Sequence, residues 1–438
     1  MLWPTISRDG TTIAFEHAMG IWTCDTATGA VRRIPIVLRG LPDVTPPQHL
    51  SLTSRFTGLD LAPDGRKVAF VARGRIFAAN ARDGGEAVEV MRHSPSAFNE
   101  PVWARNSRQI AFTVDRGLDQ SIATFAFPDG PEQVLTPAGH HDASPIWSPD
   151  GRRVAFVRDE RELHLLDPAS RADRLLARGR FPFGINVAFS PAGDWLAYRD
   201  TSSSGFSNVW VVPTAGGTPR QLTFLPNAFG GSIVWSRDGS RLFFVSSQRT
   251  ELAQVAQVDL VPRTPRFRED TFRRLFTQEP PAPLELPPQT PASPLPSTSP
   301  GPVVSASPSA APRPRTVTID FTGIRDRISL LPIGLDVQEM TITPDSRTLV
   351  VAARAANQDN LYTFSVDETA AEPPVARQIT TTPGRKSNLS LTPDGKSVYF
   401  LDAGRVAVAT LDGRPARTLA VTAAIDVDFA RDKPLVFR

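Results

Sequence analysis

A single cysteine, Cys24, stands in the whole chain. One thiol excludes an internal disulfide framework and any metal site built from clustered cysteines. Lysine is nearly as scarce, with four residues at 67, 386, 396 and 433 against 44 arginines. Net charge is only +3, and the basic residues are scattered singly, so nothing resembles the basic stripe that nucleic acid or an anionic membrane would require. No apolar run reaches the length of a membrane span, and Met1-Leu2-Trp3-Pro4 opens without a basic segment and an apolar core, so no targeting signal is expected in the chain as written. Also missing are a G-x-S-x-G elbow, an H-E-x-x-H pattern, a phosphate loop and a dinucleotide fingerprint.

What is abundant is turn chemistry. The 42 prolines and 29 glycines in 438 residues point to many short strands. Aligned on one turn position, Gly10, Gly65, Ser107, Gly151, Gly193, Gly239, Ser346 and Gly395 fall in equivalent places. Four residues earlier stands a large apolar side chain (Ile6, Leu61, Trp103, Trp147, Phe189, Trp235, Ile342, Leu391), and five residues later another (Phe15, Phe70, Phe112, Phe156, Tyr198, Phe244, Val351, Phe400). The spacings are 42 to 55 residues, with one of 107, and a period in the forties is that of a four-stranded propeller blade. Asp-Gly makes the tight turn because glycine accepts positive φ and aspartate bonds the local backbone. The flanking aromatics then fill the space between blades. The expected fold is all-β, a single closed propeller of four-stranded blades, eight in number with seven as the alternative.

Two stretches interrupt the pattern. Residues 278–315 hold 13 prolines among 38 residues, mixed with Ser, Ala and Thr, a composition that cannot bury enough apolar surface to order itself. This predicts a disordered insertion between residues 1–277, carrying the first six blades, and residues 316–438, carrying the remaining blades, the ring closure and a C-terminal junction. The ring is expected to pause after the sixth blade and resume near Val317. The second stretch, Pro35 to Phe56, lengthens the first spacing and reads as a surface loop or a cover over one mouth of the ring.

The signature Trp147-Ser148-Pro149-Asp150-Gly151, repeated nearly as Leu391-Thr392-Pro393-Asp394-Gly395, resembles the TolB-like propeller family. The opening PTISRDGTTIAFEHAMGIWTCDTATG, the passage VTIDFTGIRDRISLLPIG and the tail AIDVDFARDKPLVFR resemble the propeller portion of bacterial tricorn-type serine peptidases. That second resemblance implies a ring that filters or channels peptide toward a peptidase core, with a periplasmic or secreted setting. It implies no catalytic residue in this chain, since the PDZ and catalytic domains that carry them lie outside it.

The candidate binding residues sit near an innermost strand. His140, His141 and Asp142 form the most polar cluster, and Glu100 holds a comparable place one blade earlier. Adjacent histidines diverge on extended backbone, which argues against a metal held by the dipeptide, so a polar channel rim contacting peptide is the reading. His17, His49, His93 and His164 are isolated, the last packed between leucines. The expected protein needs no cofactor, is not an enzyme as it stands, and takes a peptide, a protein or a peptidase domain as partner. Two rivals are an independent TolB-like scaffold for protein partners and a propeller enzyme that uses channel carboxylates on carbohydrate. Paired channel carboxylates would favour the last; an apolar patch around the C-terminal end would favour a missing domain.

Overall fold

The computed structural model describes residues 2–17, 20–36, 48–91, 97–116, 119–181, 186–226, 229–248, 251–264, 316–370 and 373–427. Among these residues the regular elements are strands, apart from one short 3-10 turn at Ile324–Arg327. The strands form eight sheets, seven of four strands and one of six. An N-terminal sheet covers residues 2–34. Seven blades follow, numbered here from their first, innermost strands: Thr57–Leu61, Ala97–Trp103, Asp142–Trp147, Ala188–Phe189, Phe229–Trp235, Asp336–Ile342 and Lys386–Leu391. In each blade four strands pair antiparallel in chain order.

The recurring turn explains its own residues. In blade 3, Ser148 Oγ donates to Asp150 Oδ1 and accepts from the Arg153 N–H at 2.9 Å, while the Gly151 N–H donates to Ser148 O at 2.8 Å. Thr343 and Thr392 close the equivalent turns of blades 6 and 7 in the same way. The turn residue needs positive φ, 72° at Gly151, which glycine adopts without strain. Ser107 and Ser346 adopt it too, at 56° and 62°, and each compensates with its hydroxyl. Ser107 Oγ accepts the Asp64 N–H at 2.9 Å and Ser346 Oγ accepts the Arg237 N–H at 2.7 Å, each from the preceding blade.

The aromatic anchors face the preceding blade. Trp147 Nε1 donates to Val102 O at 3.2 Å and Trp235 Nε1 to Ala188 O at 3.1 Å. Hydrophobic clusters join consecutive blades: Phe98, Trp103 and Phe112 pack with Ala62 and Val71 of blade 1, and Phe156 with Ile122 and Leu135 of blade 2. The last join brings blade 7 onto blade 1, where Tyr399 and Leu401 pack with Phe70 and Phe77 and Tyr399 Oη donates to Ala81 O at 2.8 Å. Strand Val421–Val427 then pairs parallel with Gly84–Glu89, the outermost strand of blade 1, and antiparallel with Gln48–Leu52.

The eight repeats are therefore eight sheets, but packing joins seven of them from end to end, the alternative ring size. The N-terminal sheet shares none of the clusters formed by the described residues. Its anchor Ile6 is 61% exposed where the equivalent Ile342 is 1% exposed, and Trp3 is 81% exposed. Near the C-terminal end, Val421, Ala423, Ile425 and Val427 are buried, and residues 428–438, where the junction segment was expected, lie outside the described residues.

The interruption also falls differently. Blade 5 takes its fourth strand, Ile328–Leu330, from beyond the insertion, so the break lies inside the sixth repeat and not after it. Residues 265–315, which hold the Pro-rich stretch, lie outside the described residues. The returning chain is pinned at Val317, whose N–H donates to Asp194 Oδ2 at 2.8 Å and whose carbonyl accepts Trp195 Nε1 at 3.1 Å. Of the stretch from Pro35 to Phe56, the described strand Gln48–Leu52 runs along the outer edge of blade 1, away from the channel mouths.

Candidate channel-rim site

The innermost strands share a register irregularity ahead of the turn, lying between Asn99 and Val102 in blade 2, Ala143 and Ile146 in blade 3, and Ser387 and Ser390 in blade 7. Glu100, Ser144 and Asn388 occupy it with φ of 51°, 56° and 58°. Such a bulge leaves backbone N–H groups without ladder partners. Acidic side chains of the preceding blade fill the gap. Glu100 accepts the Ser144 N–H at 2.7 Å and the Ser144 hydroxyl at 3.3 Å, while Glu339 accepts the Asn388 and Leu389 N–H groups at 2.9 and 2.7 Å. Glu100 therefore fastens blade 2 to blade 3.

Asp60, which sequence inspection did not single out, joins three blades. It accepts the Trp103 N–H at 2.8 Å and the Ser390 hydroxyl at 3.3 Å, and Ser390 Oγ in turn accepts the Leu61 N–H at 3.2 Å. Asp60 is half-buried between the blades. Burial pushes its pKa up to about 7, against the pull of the donors from Trp103 and Ser390. Burial likewise raises Glu339, opposed by the N–H groups of Leu389 and Asn388.

The His140-His141-Asp142 cluster divides. His140 Nδ1 lies 3.0 Å from Asp159 Oδ2, and Asp159 Oδ1 accepts the His141 N–H at 2.9 Å, so Asp159 secures this corner at the mouth opposite the turns. His141 is exposed. Asp142 is not on the rim: it is fully buried and grips Arg158 bidentately at 2.7 and 3.0 Å. The pairing continues outward from Arg158 to Asp173 at 3.0 Å, to His164 Nδ1 at 2.7 Å, and from His164 Nε2 to Glu162 at 3.0 Å. Burial draws the His164 pKa down, but the two carboxylates outweigh it and the net shift is upward. His164, expected to be packed or snorkelling between leucines, is buried and stacked on Phe156, and it is also a link in a charge chain. The signal was available in its neighbours: Arg158 faces Glu162 across the hairpin, and Asp173 opens the next strand.

Blade 7 repeats the device with opposite sign. Lys386, with a side chain 0% exposed, lies 2.9 Å from Asp402 at the cross-strand position that Asp142 and Arg158 fill in blade 3 and Phe98 and Val114 in blade 2. Among the described residues no group of three or more His, Cys, Asp or Glu side chains is placed to hold a metal. Asp60, Glu100 and Glu339 are each engaged by a neighbouring blade.

A ring of consecutive four-stranded blades with Ser-Pro-Asp-Gly turns and interblade aromatic anchors is a β-propeller. No family model matches the sequence. Among curated proteins, the tricorn protease homolog of Saccharolobus solfataricus is 20% identical over 245 residues, covering 56% of this chain and 22% of that protein. The Tol-Pal system protein TolB of Anaeromyxobacter dehalogenans is 28% identical over 256 residues, covering 51% and 58% respectively. The chain thus spans less than two thirds of either relative. Among solved structures, tricorn protease superposes on 97% of this chain and 40% of its own with a TM-score of 0.59 at 14% identity. The propeller domain of the trilobed protease from Pyrococcus furiosus, described as having an open velcro topology, covers 83% and 98% with a TM-score of 0.50 at 11% identity. The chain is a β-propeller similar in sequence to TolB and to a tricorn protease homolog, and similar in fold to tricorn protease.

Proposed function

We propose that this chain is a non-catalytic propeller that receives or filters peptide for a tricorn-type serine peptidase whose catalytic residues lie outside it. The observation that supports this most is the superposition on tricorn protease along 97% of the chain. A polar passage lined by Asp60, Glu100 and Glu339, each acting as a structural acceptor, suits conduction of a polypeptide better than bond cleavage. For the same reason the carbohydrate-enzyme reading loses ground, because its carboxylates would have to be free. Within the proposal, His140, His141 and Glu100 contribute to the mouth opposite the turns, and a periplasmic or secreted setting follows the family resemblance.

The second reading, an independent scaffold for protein partners, draws on the TolB likeness and on the exposed face around Trp3 and Ile6. Fluorescence anisotropy with short labelled peptides and with folded proteins separates the two. Saturable binding of unstructured peptides, without turnover, supports the channel reading. Binding confined to folded proteins and lost on Trp3→Ser/Ile6→Ser substitution replaces it with the scaffold. Reading the coding DNA beyond both ends of the sequence tests for an adjoining PDZ and peptidase segment.

A further inference from the structure

The outer edges of the blades differ in length. In blades 2, 4, 5, 6 and 7 the outermost strand spans three, two, three, two and two residues, whereas Gly84–Glu89 of blade 1 and Asp173–Arg178 of blade 3 span six each. Alternate N–H and C=O groups of an outermost strand point away from the sheet, so a long one is a template for a further strand. Blade 1 uses its edge in this way: Val421–Val427 adds to it in parallel, with the Gly85 N–H donating to Ala420 O at 2.7 Å. Blade 3 has the other long edge, and among the described residues no strand pairs with its outer side.

That edge is fixed on both flanks and from beneath. Arg171 Nη1 donates to Val134 O in the outermost strand of blade 2 at 2.7 Å, and Arg174 Nη1 to Ala215 O of blade 4 at 2.9 Å. Asp173 accepts from Arg158 and pairs with His164. A strand already held in place loses little conformational freedom when a partner joins it. Its charge is nearly all of one sign, since residues 171–180 hold four arginines and one acid, Asp173, which those inner partners occupy. Among the described residues Arg171 and Arg174 bond carbonyl oxygens and no carboxylate, so their charge is not neutralised. Arg178 shares Glu162 at 2.5 Å yet stays exposed, and Arg180 is exposed over the Phe181 ring. Leu175, 45% exposed at the middle of the strand, offers an apolar contact. Such an edge repels a basic strand and favours an acidic one.

We propose that the outer edge of blade 3 is a docking edge for an extended acidic segment of a partner protein, which adds as a fifth strand beside Asp173–Arg178. Main-chain bonds along the ladder supply the affinity, and the arginines select acidic side chains through paired N–H donors. The site lies on the outer rim, apart from the channel, and so goes beyond the peptide-handling reading above.

The test adds a labelled peptide of about ten residues, alternating glutamate and valine, to the whole chain and reads binding by anisotropy and its place by amide hydrogen exchange. The expected result is saturable binding that slows exchange within residues 173–178 and leaves the innermost strands unchanged. A control of equal charge with consecutive prolines at its centre cannot continue a ladder and should not bind. The Arg178→Gln/Arg180→Gln variant should bind the acidic peptide about tenfold more weakly at low salt, as should the parent a peptide with lysine for glutamate. Thermal melting checks that the variant is folded, and its exposed substitutions should leave the midpoint unchanged. Absence of binding, or equal binding of the proline control, would overturn the docking edge. Slowed exchange at the innermost strands, such as Asp142–Trp147, would place the peptide in the channel, supporting the peptide-handling reading while removing this one. A short DNA duplex that protects residues 173–178 as well as the peptide does would identify a general polyanion surface and overturn the assignment to peptide.

Discussion

Asp60 shows what one side chain does at the ring's seam. Its carboxylate is the shared acceptor for blades 7, 1 and 2, and burial holds its pKa near 7 where an unfolded chain would have the ordinary value of 3.8. Between those values the folded state keeps a proton that the unfolded state has released. Stability contributed at this site therefore falls as pH rises from about 4 to about 7 and is level above that. The expected size is on the order of 1–4 kcal/mol, the upper end being the full shift and the lower end allowing for water in the channel. Asp60→Asn keeps an acceptor for the Trp103 N–H and can donate to Ser390. It should raise the urea midpoint at pH 8 and flatten the difference between pH 5 and pH 8. A variant with the parent's pH slope would place that slope at another group. Asp60 was illegible in the sequence, since its partners Trp103 and Ser390 lie 43 and 330 positions away on two other blades.

At the scale of the element, the blade's first turn was the most legible feature of the chain. Glycine with positive φ, a hydroxyl that closes the loop and an aspartate that accepts local N–H groups are all local chemistry, so residue identities within five positions determine it. Its interlocking with the next blade was not visible. A Cβ on Gly395 would lie 2.7 Å from Pro344 Cδ of blade 6, at φ 67°, whereas Gly413, at φ 86°, has open space around it. Gly395→Ala should therefore destabilise the protein by about 1–3 kcal/mol, and Gly413→Ala by less, because only the first adds an interblade clash to the backbone strain. Urea titration of both variants measures the difference, and equal losses would leave the strain alone responsible.

At the scale of the molecule, closure separates what belongs to the ring from what accompanies it. Strand Val421–Val427 buries four apolar side chains between Gly84–Glu89 and Gln48–Leu52, and its removal should destabilise the protein by several kcal/mol. Removal of residues 1–36 should change the melting midpoint of the main transition by no more than about 2 °C, because among the described residues the N-terminal sheet shares no hydrophobic cluster with the seven blades. A large loss from the N-terminal deletion would return that sheet to the ring.

Repetition at a period in the forties, with apolar anchors at fixed distances from a Gly turn, determined by itself that the chain folds into meandering four-stranded sheets and that eight such units exist. These are local instructions, written in residues that touch within one unit. Tertiary structure alone decided that seven sheets close together, that the insertion breaks a blade from within, and that Glu100 and Asp142 serve neighbouring strands. Those outcomes depend on which blade faces which, and a sequence whose units all carry nearly the same signature does not distinguish one neighbour from another.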